Sequence, residues 1–412
     1  MDSRLYWIWL QQVLPYGSKA VGDLLDAFGH ARTVYEATPE TLKKSGIKDD
    51  LCRRLSDKSL DTAHRILDRV LEMGDWVLTP EDALYPLALR HMTGCPAALY
   101  ARGTMPDLDT TPAVAVVGTR HASHNGCQEA YALSAGLAAG GMVVVSGGAV
   151  GIDAAAHSGA LAAGGITIVC MACPLNENYP VENTDLRRQV VERGGLLLSE
   201  FPPDEPYQCD FHVRNRLMVG LSQAVCLAET PKRSGARISA RLAREQNREL
   251  FALPGALSGR LHDGAHIEIQ KGATLVIRAT DILRDYAPLY PGVLDLEQAE
   301  TVQQEIEGRK TAPPKKPEKR SKLRRRKESK KEKKQIALPD PPAEETAPVP
   351  CPDTASPAAR QVYAALTDRF MPVDELAVAA GMPIPALLAA LTELEMYGCA
   401  QNGAGQQYKR GG

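Results

Sequence analysis

Apolar and polar positions follow three regimes along the chain. In residues 21–29 and 51–74 apolar side chains recur at helical spacing, with Tyr16-Gly17-Ser18 and Phe28-Gly29 as turns. A connector follows over residues 79–103, where Tyr85-Pro86 and Cys95-Pro96 bias the chain away from continuous helix. From Ala113 the pattern alternates. Short apolar runs at 113–118, 142–147, 166–171, 195–199, 224–229 and 249–255 predict strands, and helical patterns fit between most of them. Near-continuous apolar strands with intervening helices predict a doubly wound, mostly parallel α/β sheet covered on both faces.

Beyond about residue 286 the pattern fails, and Pro, Lys, Arg and Glu dominate residues 297–357, which predicts a disordered linker. Helical spacing returns at Ser356. Two helices about a Gly-containing turn, closed by a short hairpin, predict a winged helix. The expected organisation is a helical module at 1–78, an α/β core at 79–290, a basic and Pro-rich linker at 291–355 and a winged-helix domain at 356–412. The helical module fits either a helix-hairpin-helix or sterile-alpha-motif-like unit, or a small packing domain without a ligand. The absence of a basic hairpin turn favours the second. The recognition helix expected at 385–397 carries two Glu and neither Lys nor Arg, so protein contact and DNA contact are both open for it.

Open parallel sheets bind ligands beyond the C-terminal ends of their strands, and the glycines fall there. Gly118-Thr119-Arg120 ends the first core strand, and Ser146-Gly147-Gly148-Ala149-Val150-Gly151 ends the second and leads into a helix. Such turns bring backbone N–H groups close to an anion. Asp153 suits a helix cap or a functional carboxylate, and His157 a packed, hydrogen-bonded role. Arg214-Asn215-Arg216 follows Phe211-His212. Arginines two apart on a helix point in different directions, so one of them is expected to face the Gly turns. Phe211 offers a stacking surface for a base, with ordinary core packing as the alternative. Arg233-Ser234-Gly235, with Lys232 and Arg237, supplies a further positive strand-to-helix turn. The chain lacks a complete G-x-G-x-x-G followed by a ribose-binding carboxylate, and it lacks P-loop, zinc-protease and nucleophile-elbow motifs and a paired acidic motif. No cofactor and no catalytic set are expected.

Charge sharpens this picture. The formal net charge is −2, yet residues 308–334 hold 15 Lys/Arg against 3 Glu, or +12, so removing that tract leaves −14 on the rest. The nine cysteines are scattered, and Cys170-Met-Ala-Cys173 stands alone, which suits buried thiols better than a metal site. With no leader-like N-terminus and no long apolar run, a cytoplasmic protein without membrane association is expected.

In combination, VAVVGTRHAS, GIDAAAHSGAL, NYPVEN, LLLSEFPP, FHVRNRLMVGLS, RSGARISA and FALPG resemble the motif series of the DprA (Smf) family across residues 79–277. The resemblance implies a Rossmann-like core and a single-stranded DNA-binding protein. Such a protein protects DNA during natural transformation, loads the RecA recombinase, forms a homodimer and has no established catalysis. The DNA contacts it implies are Arg120, Ser146, Gly147, Gly148, Phe211, Arg214, Asn215, Arg216, Arg233, Ser234 and Gly235, with Gly118 and Gly151 in the same turns. Val150 stands where relatives carry Arg, His212 where they carry Pro, and Ala236 and Arg237 where they carry Ser and Leu. Arg237 is expected to restore the charge lost at Val150. Two other readings remain: a phosphoribohydrolase-type enzyme using the same turns, and a recombinase-interaction scaffold with weakened DNA binding.

Overall fold

The computed structural model describes residues 2–205, 210–257, 260–311, 355–396, 399–403 and 407–410. The chain divides into two compact units, Met1–Glu318 and Lys319–Gly412.

The first unit is built on nine strands: β1 (Trp76–Leu78), β2 (Leu99–Gly103), β3 (Ala113–Val117), β4 (Val143–Ser146), β5 (Thr167–Met171), β6 (Leu196–Ser199), β7 (Ala224–Leu227), β8 (Glu249–Ala252) and β9 (Thr274–Leu275). Their order is β1-β2-β6-β5-β4-β3-β7-β8-β9. From β6 to β9 all pairings are parallel, and β1 and β2 add antiparallel. The six strands expected from the apolar runs are β3 to β8. Strands β1 and β9 escaped the pattern because they are short, and β2, like β1, stands apart from the strand–helix alternation. Strand order reverses at β3, which has β4 on one side and β7 on the other. That is the switch point at which such sheets open a crevice.

Strand residues alternate between two buried clusters, as the period of two demands. Val114 and Val116 of β3 join the cluster under the helices His124–Ala139 and Ile152–Ala162, whereas Ala113, Ala115 and Val117 join the other. The N-terminal helices belong to this second cluster: Leu5, Trp7, Leu10 and Val70 share it with β-strand residues. Gln11 ties them down, donating to the Ala98 carbonyl at 2.7 Å and accepting from the Tyr100 hydroxyl at 2.7 Å. Residues 2–78 therefore share a core with the sheet, inside the same compact unit.

The linker expected from 291 departs from the structure in its first part. Residues Leu296–Thr311 form a helix against the helix His124–Ala139. Ala299 is fully buried there, and Gln303 Oε1 accepts from the Ala279 amide at 2.8 Å. Gly136 and Gly140 let the backbone approach: a Cβ on Gly136 would lie 2.7 Å from the Ala279 methyl and 3.2 Å from the Ala299 carbonyl. A buried stripe this narrow leaves the composition almost wholly polar, which hides the helix from a hydrophobicity pattern. Residues 312–354 of that expected linker, with most of the basic tract, lie outside the described residues.

The second unit has helices Pro357–Ala365, Val373–Ala380 and Ile384–Met396 and a three-stranded sheet of Met371–Pro372, Gln407–Arg410 and Ala400–Gly403. Gly381 makes the turn between the second and third helices at φ +63°, where a side chain would be strained. Leu387, Leu391 and Leu394 fill the core. Among the described residues no helix is long and apolar enough to cross a membrane.

Candidate nucleic-acid interface

At the β3/β7 switch point a cavity of about 470 Å³ opens beyond the strand ends. The loop after β3 forms one wall. Gly118 starts it in a space no side chain could share, since a Cβ would lie 2.5 Å from Ile152 Cγ1 and 2.8 Å from the Glu229 carbonyl. The loop is held by buried Glu229. The Thr119 amide donates to its carbonyl at 2.8 Å, the Ser123 amide donates to Oε2 at 2.7 Å and the Ser123 hydroxyl donates to Oε1. So anchored, the loop exposes Arg120. Its guanidinium lies 4.4 Å from the Phe211 ring centre, and its Nη1 donates to the Tyr179 hydroxyl at 3.3 Å.

The helix Phe211–Leu221 supplies the floor. Asp210 caps it, accepting from the His212 and Val213 amides at 2.8 and 3.1 Å. Phe211, Arg214, Asn215 and Met218 line the cavity from this helix. Arg214 is buried, with Nη1 3.7 Å from Asp153 Oδ2 and within 3.5 Å of the Cys170 carbonyl. Gly147 makes room for it, because a Cβ there would overlap the guanidinium. Burial pushes the Asp153 carboxyl above its usual range, and the Arg214 charge pulls the other way. Its Oδ2 also takes a long hydrogen bond of 3.4 Å from the Ala149 amide, so the carboxylate holds the Gly-rich turn as well as the arginine. His157 sits deeper, its Nδ1 2.7 Å from Thr167 Oγ1, and burial lowers its pKa to about 3. That is the packed role expected for it.

Opposite stands the turn before the helix Ala236–Glu245. Arg233, Ser234 and Gly235 line the cavity, and Arg120 and Arg233 have no carboxylate within 4 Å among the described residues. Ser239, on the second turn, lines it too, and among the described residues its buried hydroxyl has no hydrogen-bond partner.

Gly118, Arg120, Phe211, Arg214, Asn215, Arg233, Ser234 and Gly235 thus come together as the sequence placed them. Others lie elsewhere. Ser146 is fully buried and its hydroxyl donates to the Val116 carbonyl at 2.7 Å. Gly147, Gly148 and Gly151 underlie the cavity without lining it. Gly151, at φ +83°, packs so tightly that a Cβ would lie 2.5 Å from the Thr119 carbonyl oxygen. Arg216, two residues from Arg214, turns the other way, pairing with buried Glu200 and donating to the Gly94 carbonyl. Arg237 does not compensate for Val150: Glu268 takes its guanidinium at 2.9 Å, and its Nη1 donates to the Lys232 carbonyl at 2.9 Å. Sequence reasoning passed over Tyr179, His121, Asp210 and Ser239. Tyr179 lay in a quoted motif, and His121 and Asp210 each adjoin a residue already singled out.

The DNA recombination-mediator protein A family model matches residues 76–287. The chain belongs to the DprA family. A model of the DprA winged helix domain matches residues 340–406, so the winged fold expected of the tail is that of the family. Protein Smf of Escherichia coli K12 is 33% identical over 80% of this chain and 76% of its own length. Protein Smf of Synechocystis is 27% identical over 99% of both chains. Among solved structures, that of DNA processing protein A (DprA) from Streptococcus pneumoniae superposes with a TM-score of 0.59 at 30% identity, covering 69% of this chain and 98% of that one. The family's core spans β1 to the helix Ala279–Tyr286, and the whole cavity lies within it. The DprA motifs hold most of the residues that line the cavity, with Gly118 and Gly151 of its walls, whereas Glu229 lies outside them.

Proposed function

We propose that the chain binds single-stranded DNA without sequence preference, protects it and loads a RecA-type recombinase onto it. We further propose that it acts in the cytoplasm as a homodimer and by binding, without turnover. One observation carries the reading: Phe211, half-buried, stands beside Arg120 in a cavity that also presents Arg233, and neither arginine is neutralised by a carboxylate within 4 Å among the described residues. A ring that can stack on a base, flanked by guanidinium groups that no carboxylate neutralises, is the chemistry of single-strand binding. Stacking on Phe211 requires an unpaired base, which disfavours duplex. A dimer is supported by the outermost parallel strand, β9, where Leu275 and the nearby Ile277 remain exposed.

Fluorescence anisotropy with single- and double-stranded oligonucleotides tests the binding. Strong preference for the single strand supports the reading, and equal or better duplex binding overturns it. Recombinase loading is tested separately, by the rate at which RecA filaments form on DNA already covered by single-strand binding protein. An unchanged rate removes loading and leaves binding intact.

A further inference from the structure

Two imidazoles stand on the cavity wall without a part in the reading above. His121 follows Arg120 in the loop after β3, and His212 follows Phe211 in the first turn of its helix. Both are exposed and both line the cavity that holds Arg120, Phe211 and Arg233. Their backbone amides are engaged, by Thr119 Oγ1 and Asp210 Oδ1, but among the described residues no hydrogen bond or ion pair occupies either ring. The rings are therefore available to a ligand. Their neighbours select its charge, since Arg120 and Arg233 already make this an anion site.

The remaining charged groups facing the cavity are Arg214, Asp153 and Asp210. Arginines stay cationic throughout the neutral range. Asp153 is buried beneath Arg214, and Asp210 is committed to capping the helix. Tyr179 reaches Arg120 and Phe211 in this neighbourhood. An imidazole, by contrast, is the side chain whose charge ordinarily changes between about pH 5 and 8. The Asp210 carboxylate stands two residues before His212 at the helix N-terminus. A phosphate seated in the cavity would favour the charged form of both rings.

We infer that His121 and His212 are phosphate ligands of this cavity, so that strand binding takes up protons and tightens as pH falls. The inference rests on the single-stranded DNA reading and adds to it a regulation by pH. An exposed imidazolium–phosphate contact is comparable to an exposed ion pair, so each ring contributes about threefold and the two together roughly tenfold in affinity. Each phosphate newly neutralised on a single strand also steepens the salt dependence by about 0.7, or about 1.4 for two.

The test uses the full chain and a labelled oligothymidylate, which itself takes up no protons in this range. Affinity is measured across a salt series near pH 6 and near pH 8, with circular dichroism confirming the fold at both. Wild type is expected to gain roughly tenfold at the lower pH with a steeper salt slope. His121→Gln/His212→Gln is expected to lose that gain. His124→Gln is expected to keep it, because His124 lies outside the cavity with its ring on Gln128 at 2.7 Å. A pH-independent wild type, or a double variant with undiminished pH dependence, overturns the inference and leaves the DNA reading standing. Absence of strand binding at either pH overturns both.

Discussion

At the scale of single residues, the arginines that motif matching treats alike do different work. Arg120 and Arg233 are exposed, so replacing either by Ala removes a cation and disturbs little else. Each is expected to weaken single-strand affinity by about three- to tenfold and to lower the salt slope by about 0.7, with stability within about 0.5 kcal/mol of wild type. Titrations at several salt concentrations check this. Arg214 is different, because Ala there leaves the buried Asp153 carboxylate unpaired. The cleaner probe is Gly147→Ala, whose methyl displaces the Arg214 guanidinium without deleting it. We expect a loss of about 1–3 kcal/mol of stability together with weakened DNA binding, read by urea denaturation and anisotropy. Arg216→Ala is expected to cost about 3–5 kcal/mol by stranding Glu200, with no change in salt slope for whatever remains folded. The motif FHVRNR made both Arg214 and Arg216 visible. Which arginine faces the cavity depends on helix phase, about 100° per residue, which places Arg214 and Arg216 on opposite sides.

At the scale of elements, the parallel strands were legible because burial on both faces forces apolar runs, whereas the antiparallel β1 and β2 and the two-residue β9 carry no such signature. The same packing gives a pH dependence of the fold. His157, on the helix Ile152–Ala162, has a folded pKa lowered to about 3 by burial. Its neutral form is favoured in the fold, so its contribution is complete above the unfolded histidine value of about 6.5 and is lost progressively as pH falls towards the folded value. Between pH 6.5 and 3 the unfolded chain binds the extra proton, which makes stability rise with pH. At about pH 5.5 the expected loss is about 1.4 kcal/mol. Urea midpoints at that pH and at about 7.5 measure it, and His157→Gln should flatten the difference whatever it does to the absolute stability. An equal pH dependence in that variant would assign the effect to another group.

At the scale of the whole molecule, the charge asymmetry and the path of one helix belong together. The helix Leu296–Thr311 starts where the Asp295 amide donates to the Gly140 carbonyl and passes Gly136 at Gln303, so it runs antiparallel to the helix His124–Ala139. Its C-terminal end therefore heads towards the end of the sheet where the loop of Arg120 lies. The tract that follows, residues 312–334, holds 13 Lys/Arg against 3 Glu in a chain whose remainder is strongly acidic. In sequence this positive charge follows directly on that helix end. Deleting residues 312–334 is expected to reduce affinity most at low salt and to flatten the salt slope, by about 4 if roughly six phosphates are neutralised by the tract. Replacing its Lys and Arg by Gln at unchanged length separates charge from reach. Equal flattening in both variants assigns the effect to charge, whereas flattening in the deletion alone assigns it to the loss of chain length. A slope that stays at the wild-type value in both would confine DNA binding to the cavity, and Arg120→Ala/Arg233→Ala would then weaken what the deletion spared by about ten- to a hundredfold.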